Sequence, residues 1–163
     1  MKVLGLDLST AVCGYAITEN KVILFAGFVD ISNAVTYDDK ASLIIAALKD
    51  QPFDKIIIEE SLSGFAFGRT SQQILIKLTK NKAVISYILE KYYKIRVDSI
   101  NAMTARKSAL GAARVKGVKP KDYVKARIEQ MYDMKPWWVY NTKNNLDKRT
   151  EDMYDAIVLS LSS

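Results

Sequence analysis

Histidine is absent from this chain of 163 residues. With it go the histidine general base, the Ser–His–Asp and Cys–His nucleophile arrangements, and most zinc sites. Cysteine occurs once, at Cys13, so no internal disulfide forms, in keeping with a reducing compartment. Its apolar surroundings point to packing rather than chemistry. No apolar run approaches the roughly 20 residues that span a bilayer. The opening Met1–Asp7 is too short and too soon acidic for a secretory signal, so the expectation is an intracellular protein without membrane contact. Any reactive centre must be built from carboxylates, lysines, hydroxyls or tyrosines. Hard cations with oxygen ligands fit that inventory.

What is present suits one globular domain over residues 1–163: 49% of the residues are hydrophobic, enough for a real core. The formal charge is +6, and its placement matters more than its size. Residues 104–127 are dense in Lys and Arg with Asp122 as their lone acid, whereas carboxylates gather at 59–60 and 147–155. A basic surface beside an acidic pocket suits a polyanionic partner gripped at one place and cations held at another.

Lys2–Leu8 reads as a buried strand. Cys13–Ile17 reads as a second and Lys21–Val29 as a third, with Glu19-Asn20 as the hairpin turn between them. A helical stripe over Tyr37–Asp50 (Leu43, Ile44, Ala47, Leu48) precedes the β-branched run Phe53–Glu60. The intervening helix lets that run lie parallel to the first strand. A loop at Ser61–Thr70 leads into a long helix over Ser71–Tyr93. A short strand at Ile95–Val97 follows, then helices at Ala102–Leu110, Lys121–Tyr132 and Lys148–Leu161. The Trp137-Trp138 pair falls in an irregular stretch and is expected to pack beneath the 133–146 loop. The whole is one α/β domain with a mixed sheet.

Asp7 closes the first strand, and Glu59 and Glu60 close the fourth. If those strands are parallel neighbours, their C-terminal ends meet at one edge of the sheet, where sites form in open α/β folds. Asp152 and Asp155 are three apart, on one face of the last helix. Met153, Ala156, Ile157, Leu159 and Leu161 dock that helix on the sheet. Clustered carboxylates repel each other and resist losing water. With two divalent ions about 3.5–4 Å apart they become ligands, and one ion activates water while the other stabilises a leaving oxygen. The expectation is a Mg²⁺ site, with Mn²⁺ able to substitute, cleaving phosphodiester bonds. Alternation along the fourth strand does not choose between Glu59 and Glu60, because a strand buried on both faces shows no polarity.

Val3-Leu4-Gly5-Leu6-Asp7-Leu8-Ser9 with Cys13-Gly14-Tyr15-Ala16-Ile17 resembles the opening motif of RuvC-type Holliday-junction resolvases. Ile58-Glu59-Glu60 resembles their second acidic motif, and Asp152-Met153-Tyr154-Asp155-Ala156 their terminal aspartate pair. Order and spacing agree over nearly the whole chain. The resemblance implies an RNase H-like fold with strand order 3-2-1-4-5, and Asp7, Glu59, Asp152 and Asp155 as catalytic metal ligands. It selects Glu59, the acid directly after the apolar run. It also implies a homodimer paired through the long helix, where Ile76, Ala83 and Val84 lie outside the inner stripe. Arg106-Lys107 and Lys119-Pro120-Lys121 resemble the family's basic stretch, although 112–120 looks longer and richer in lysine. The expected DNA contacts are Arg69, Arg106, Lys107, Lys116, Lys119 and Lys121. Phe65 or Phe67 is placed to stack on bases at an opened junction; the family's wedge position aligns with Leu62.

The function so implied is cutting of four-way DNA junctions in recombination and repair. Other readings remain open: a nuclease for forks, flaps or structured RNA, or a junction-binding module without catalysis. Gly5–Thr10 also looks like the first phosphate motif of sugar kinases and actin-like ATPases. Those proteins close two such domains on a nucleotide, and this chain has one.

Overall fold

The computed structural model describes residues 1–49, 51–60 and 72–163. Strands β1 (Lys2–Leu8), β2 (Val12–Glu19) and β3 (Val22–Asp30) follow one another and pair antiparallel. The hairpin turn lies one residue later than the sequence suggested. Glu19 pairs with Val22, and Asn20 and Lys21 turn the chain at φ of 50° and 63°. Positive φ at both central residues is the type I′ arrangement, whose twist matches the flanking strands.

Helix α1 (Tyr37–Leu48) crosses over to β4 (Lys55–Glu59), which runs parallel to β1. A reciprocal cap starts α1: Thr36 Oγ1 accepts the Asp39 N–H, and the Asp39 carboxylate accepts the Thr36 N–H, both at 3.0 Å. This satisfies two donors that a helix start leaves orphaned. The helix ends two residues before the expected Asp50, which lies outside the described residues. The chain continues through α2 (Gln72–Tyr93), β5 (Val97–Ile100), α3 (Ala102–Leu110), α4 (Pro120–Met131), a 3₁₀ turn at Lys135–Trp137 and α5 (Thr150–Leu161).

The fifth strand is displaced from the expected Ile95–Val97. Lys94, at φ 59°, leaves α2 in the left-handed region, and the ladder with β4 runs from Ile56–Val97 to Glu59–Ile100. Asp98 and Ser99 look like loop residues in sequence. They are tolerated because β5 is an edge strand with one paired side.

The sheet order is β3-β2-β1-β4-β5, the RNase H-like order expected. Leu4, Leu6, Leu8, Ile56 and Ile58 pack on one face against α1 and α2; Val3, Ala16 and Ile57 pack on the other against α3, α4 and α5. Cys13 is wholly buried in the first of these layers. Among the described residues no helix is long and apolar enough to cross a membrane.

Helix α5 is sandwiched between the sheet and the α3–α4 layer, and every residue from Ala156 to Leu161 is buried. Two glycines let it seat so closely. A Cβ on Gly5 would overlap the Ala156 carbonyl and meet Ser160 N at 2.6 Å; a Cβ on Gly14 would overlap the Asp152 carbonyl. Backbone cannot yield as a side-chain tip can, so overpacking here displaces the helix. Gly14→Ala is expected to lower stability by about 1–3 kcal/mol, read from the urea midpoint. An unchanged midpoint would mean that the helix start does not rest on this strand.

Candidate active site

Alternation places the acids. In β1, Val3 faces α5 while Leu4, Leu6 and Leu8 face α1 and α2, so Asp7 falls on the α5 face. In β4, Ile57 faces α5 while Ile56 and Ile58 face away, so Glu59 shares the face of Asp7. Leu6 pairs with Ile58, which puts Asp7 and Glu59 at the next step of adjacent parallel strands. Glu60, one residue on, has the opposite parity. The choice that alternation in the sequence left open is thus made by the two cores.

The Gly14 contact brings the start of α5 over β2, and Gly14 itself pairs with Asp7. Asp152 and Asp155 arrive there on the first turns of α5. The charges of Asp155, Glu59 and Asp152 all act on Asp7. Burial, followed by the charges of Asp155, Glu59 and Asp152, raises Asp7 from an ordinary 3.8 to about 8, against a lowering pull from Lys82. Asp155 rises to about 6, chiefly by burial, although Arg106 and Lys121 oppose the shift. Asp152 is raised too, again first by burial.

Of the basic residues expected to touch nucleic acid, two face the acids instead of lying free. Arg106, only 18% exposed, reaches Asp155 at 3.9 Å. Lys121 reaches Glu151 at 3.3 Å and Asp152 at 3.9 Å. Burial disfavours the Lys121 ammonium, but the Glu151 hydrogen bond and the neighbouring aspartates outweigh it and raise its pKa. Lys107, Lys116 and Lys119 are exposed. Leu62, Phe65, Phe67 and Arg69 lie outside the described residues.

Sequence reasoning missed what α2 supplies. Asn81 is buried and donates to the Ser9 carbonyl at 2.7 Å. Lys40 of α1 donates to the Thr10 carbonyl at 2.6 Å. Lys82 donates to the Glu59 carbonyl at 3.0 Å. Ser9 closes the turn behind Asp7: its hydroxyl donates to the Val12 carbonyl at 2.7 Å and accepts the Val12 N–H at 2.9 Å. The legible signal was a polar residue at position 81, within the inward stripe that runs through Ile85 and Leu89. On the other face, Trp138 Nε1 donates to Tyr154 Oη at 3.0 Å, and that hydroxyl donates to Glu129 at 2.7 Å. The Trp137 ring meets Phe25 edge-on at 6.5 Å. Both tryptophans therefore pack against the core.

The fold is that of RuvC. Thermus thermophilus RuvC is 14% identical over 99% of this chain and 92% of its own, with a TM-score of 0.61. The same protein in complex with a Holliday-junction substrate is 13% identical over the same shares, with a TM-score of 0.64. The yeast mitochondrial Holliday junction resolvase Ydc2 is 13% identical over 98% of this chain and 76% of its own, at 0.63. No protein-family model and no curated protein sequence matches the chain. The likeness to RuvC is therefore one of fold, and the chemistry rests on this chain's own residues.

Those residues suit magnesium. The donors are carboxylates without imidazole or thiolate, and magnesium keeps several waters while taking one or two protein carboxylates. Among the described residues no group of three acidic or sulfur ligands is arranged to hold an ion as it stands.

Without divalent ions, Asp7 and Asp155 hold protons in the folded state that the unfolded chain has already released. Their contribution is complete below about pH 4 and is lost as pH rises through about 6 for Asp155 and about 8 for Asp7. The melting temperature of metal-free protein is expected to fall across that window, and Asp7→Asn to flatten the fall. Added Mg²⁺ should raise the melting temperature of the wild type more at pH 8 than at pH 5. A metal-free profile that rises with pH over this range would contradict the assignment.

Proposed function

We propose that this protein is a structure-selective DNA endonuclease that cuts four-way junctions, working as a magnesium-dependent homodimer in recombination and repair. The observation that carries the proposal is the convergence of Asp7, Glu59, Asp152 and Asp155, from β1, β4 and α5, with Asp7 pushed up to about 8. Carboxylates so far out of their ordinary range await positive charge. The RuvC fold, which one solved relative shows in complex with a Holliday-junction substrate, supports branched DNA as the source of the phosphodiester.

The four carboxylates would hold the magnesium. When bound, it supplies a water of lowered pKa and charge neutralisation at the leaving 3′ oxygen. The chain's own groups do the rest. Arg106 and Lys121 hold the two aspartates of α5 from the side of α3 and α4. Lys121, 56% exposed, is free to exchange its Glu151 partner for a phosphate oxygen. Lys107, Lys116 and Lys119 supply screened, sequence-independent attraction to the backbone. The turn locked by Ser9, Asn81 and Lys40 keeps the end of β1 fixed beneath the reacting phosphate, as catalysis by positioning requires.

The dimer rests on α2. Ile76, Val84 and Tyr87 are 48, 37 and 59% exposed on one helix, while Ile85 and Leu89 are buried inward. A two-fold pairing through the outer residues would present two sites to two strands. Ile76→Glu with Val84→Glu is expected to yield monomer by sedimentation equilibrium. A wild type that is already monomeric at assay concentration would remove the dimer from the proposal.

Purified protein with Mg²⁺ is expected to nick a synthetic four-way junction and to stop on chelation. Asp7→Asn should lose at least about 10³-fold in rate, consistent with loss of a group acting in the transition state, while keeping junction affinity. Equal cutting of linear duplex would remove junction selectivity. Faster cutting of a fork, flap or folded RNA in the same panel would replace the substrate.

A further inference from the structure

The acid cluster sits at the end of the sheet, and the cations beside it come from both of the sheet's faces. Arg106 and Lys121 belong to α3 and α4, in the layer that packs with α5. Lys82 belongs to α2, in the opposite layer. It lines a cleft of about 220 Å³ together with Asp7, Ser9, Glu59 and Glu60. Its charge acts on Asp7, whereas those of Arg106 and Lys121 act on Asp155.

Its bonding differs as well. Arg106 and Lys121 are paired with carboxylates. The Lys82 ammonium donates to one neutral acceptor, the Glu59 carbonyl, and makes no carboxylate ion pair among the described residues. An ammonium has three donors, so the tether fixes its position and leaves two donors over. A tether to a neutral group also leaves the full positive charge uncompensated. Once cations neutralise the four acids, Lys82 remains as a net positive charge at the cleft, and charge of that kind focuses an anion.

We infer that Lys82 is a further phosphate-binding residue of this site, gripping the phosphodiester from the α2 side while Lys121 grips it from the α4 side. The inference rests on the reading of the site as one that takes a nucleic-acid phosphate, and it adds a residue to which no role had fallen. Tethering to Glu59 has a consequence of its own. The same helix turn that holds the acid-bearing end of β4 delivers the cation, so the two cannot drift apart.

The test compares wild type, Lys82→Met and Lys82→Arg on a synthetic four-way junction. Binding is measured in Ca²⁺ over a range of salt, and cleavage in Mg²⁺. Loss of one phosphate contact is expected to reduce the slope of log Kobs against log salt by about one per bound chain. Lys82→Met should also lower kcat by roughly 10²-fold, because the contact strengthens as charge builds on the phosphate. Lys82→Arg should restore the slope. A Lys82→Met slope equal to wild type overturns the inference whatever kcat does, since a tether without a phosphate contact changes rate and stability alone. Wild type that binds the junction but cuts nothing in Mg²⁺ overturns the nuclease reading instead, and the salt slope still decides the role of Lys82.

Discussion

The seating of α5 on β1 and β2 is the contact on which the rest depends. Gly5 and Gly14 each leave the space of one missing methyl, and the backbone of α5 occupies both. Had either position carried a side chain, the helix would ride higher by about an atom's width. Asp152 and Asp155 would then stand off from Asp7 by a similar amount, enough to matter where positioning governs rate. The same helix must bury its far side, and α3 and α4 close over it with Ala105, Leu110, Val124 and Ile128. That closure delivers Arg106 and Lys121 to the aspartates. A close approach of backbone to backbone thus sets the acids first and the cations second.

The electrostatics work against this architecture and explain its composition. Burial raises the pKa of Asp7 and Asp155, and the charges of neighbouring carboxylates raise them further. The fold tolerates the arrangement because basic groups approach from two layers and because protonation is available when no cation is bound. Neither compensation is complete: Asp7 stays at about 8 even with Lys82 acting on it. A site left under-compensated in this way is relieved by any positive charge brought to it.

Much of this was legible in the sequence, and the parts that were not share a cause. The first four strands and the three acidic elements follow from apolar runs, short connections and the spacing of helices, whereas the full strand order came with the family resemblance. β5 departs from its expected place because apolar content marks a buried strand, whereas an edge strand with Asp98 and Ser99 needs only half a buried surface. The turn at Asn20-Lys21 was missed by one residue because lysine rarely signals positive φ. Glu59 could not be told from Glu60 by pattern, since parity has meaning only once it is known which core lies on which face. Arg106 looked like a solvated grip within a basic run, yet it lies against Asp155, because charge runs carry no information about which member turns inward. Asn81, Lys82 and Lys40 act through backbone carbonyls, and such bonds leave little trace in a sequence beyond a polar residue in an apolar stripe.

The long helix α2 joins two levels of organisation that are separate in the sequence. Its inner stripe, Ile85 and Leu89, is bound into the core, its outer stripe carries Ile76, Val84 and Tyr87, and Asn81 and Lys82 hold the ends of β1 and β4. A rigid element that touches both the acid-bearing strands and an outward apolar face leaves no compliant joint between them. Whatever seats on the outer stripe is thereby held at a fixed distance and angle from the acid cluster. On the proposed reading, geometry of that kind would favour substrates of defined shape over those of defined sequence, because the spacing between sites would be built into helix and sheet and not into loops. The two-layer placement of the cations would add to this: a phosphate held from both faces of the sheet would be constrained in orientation as well as position.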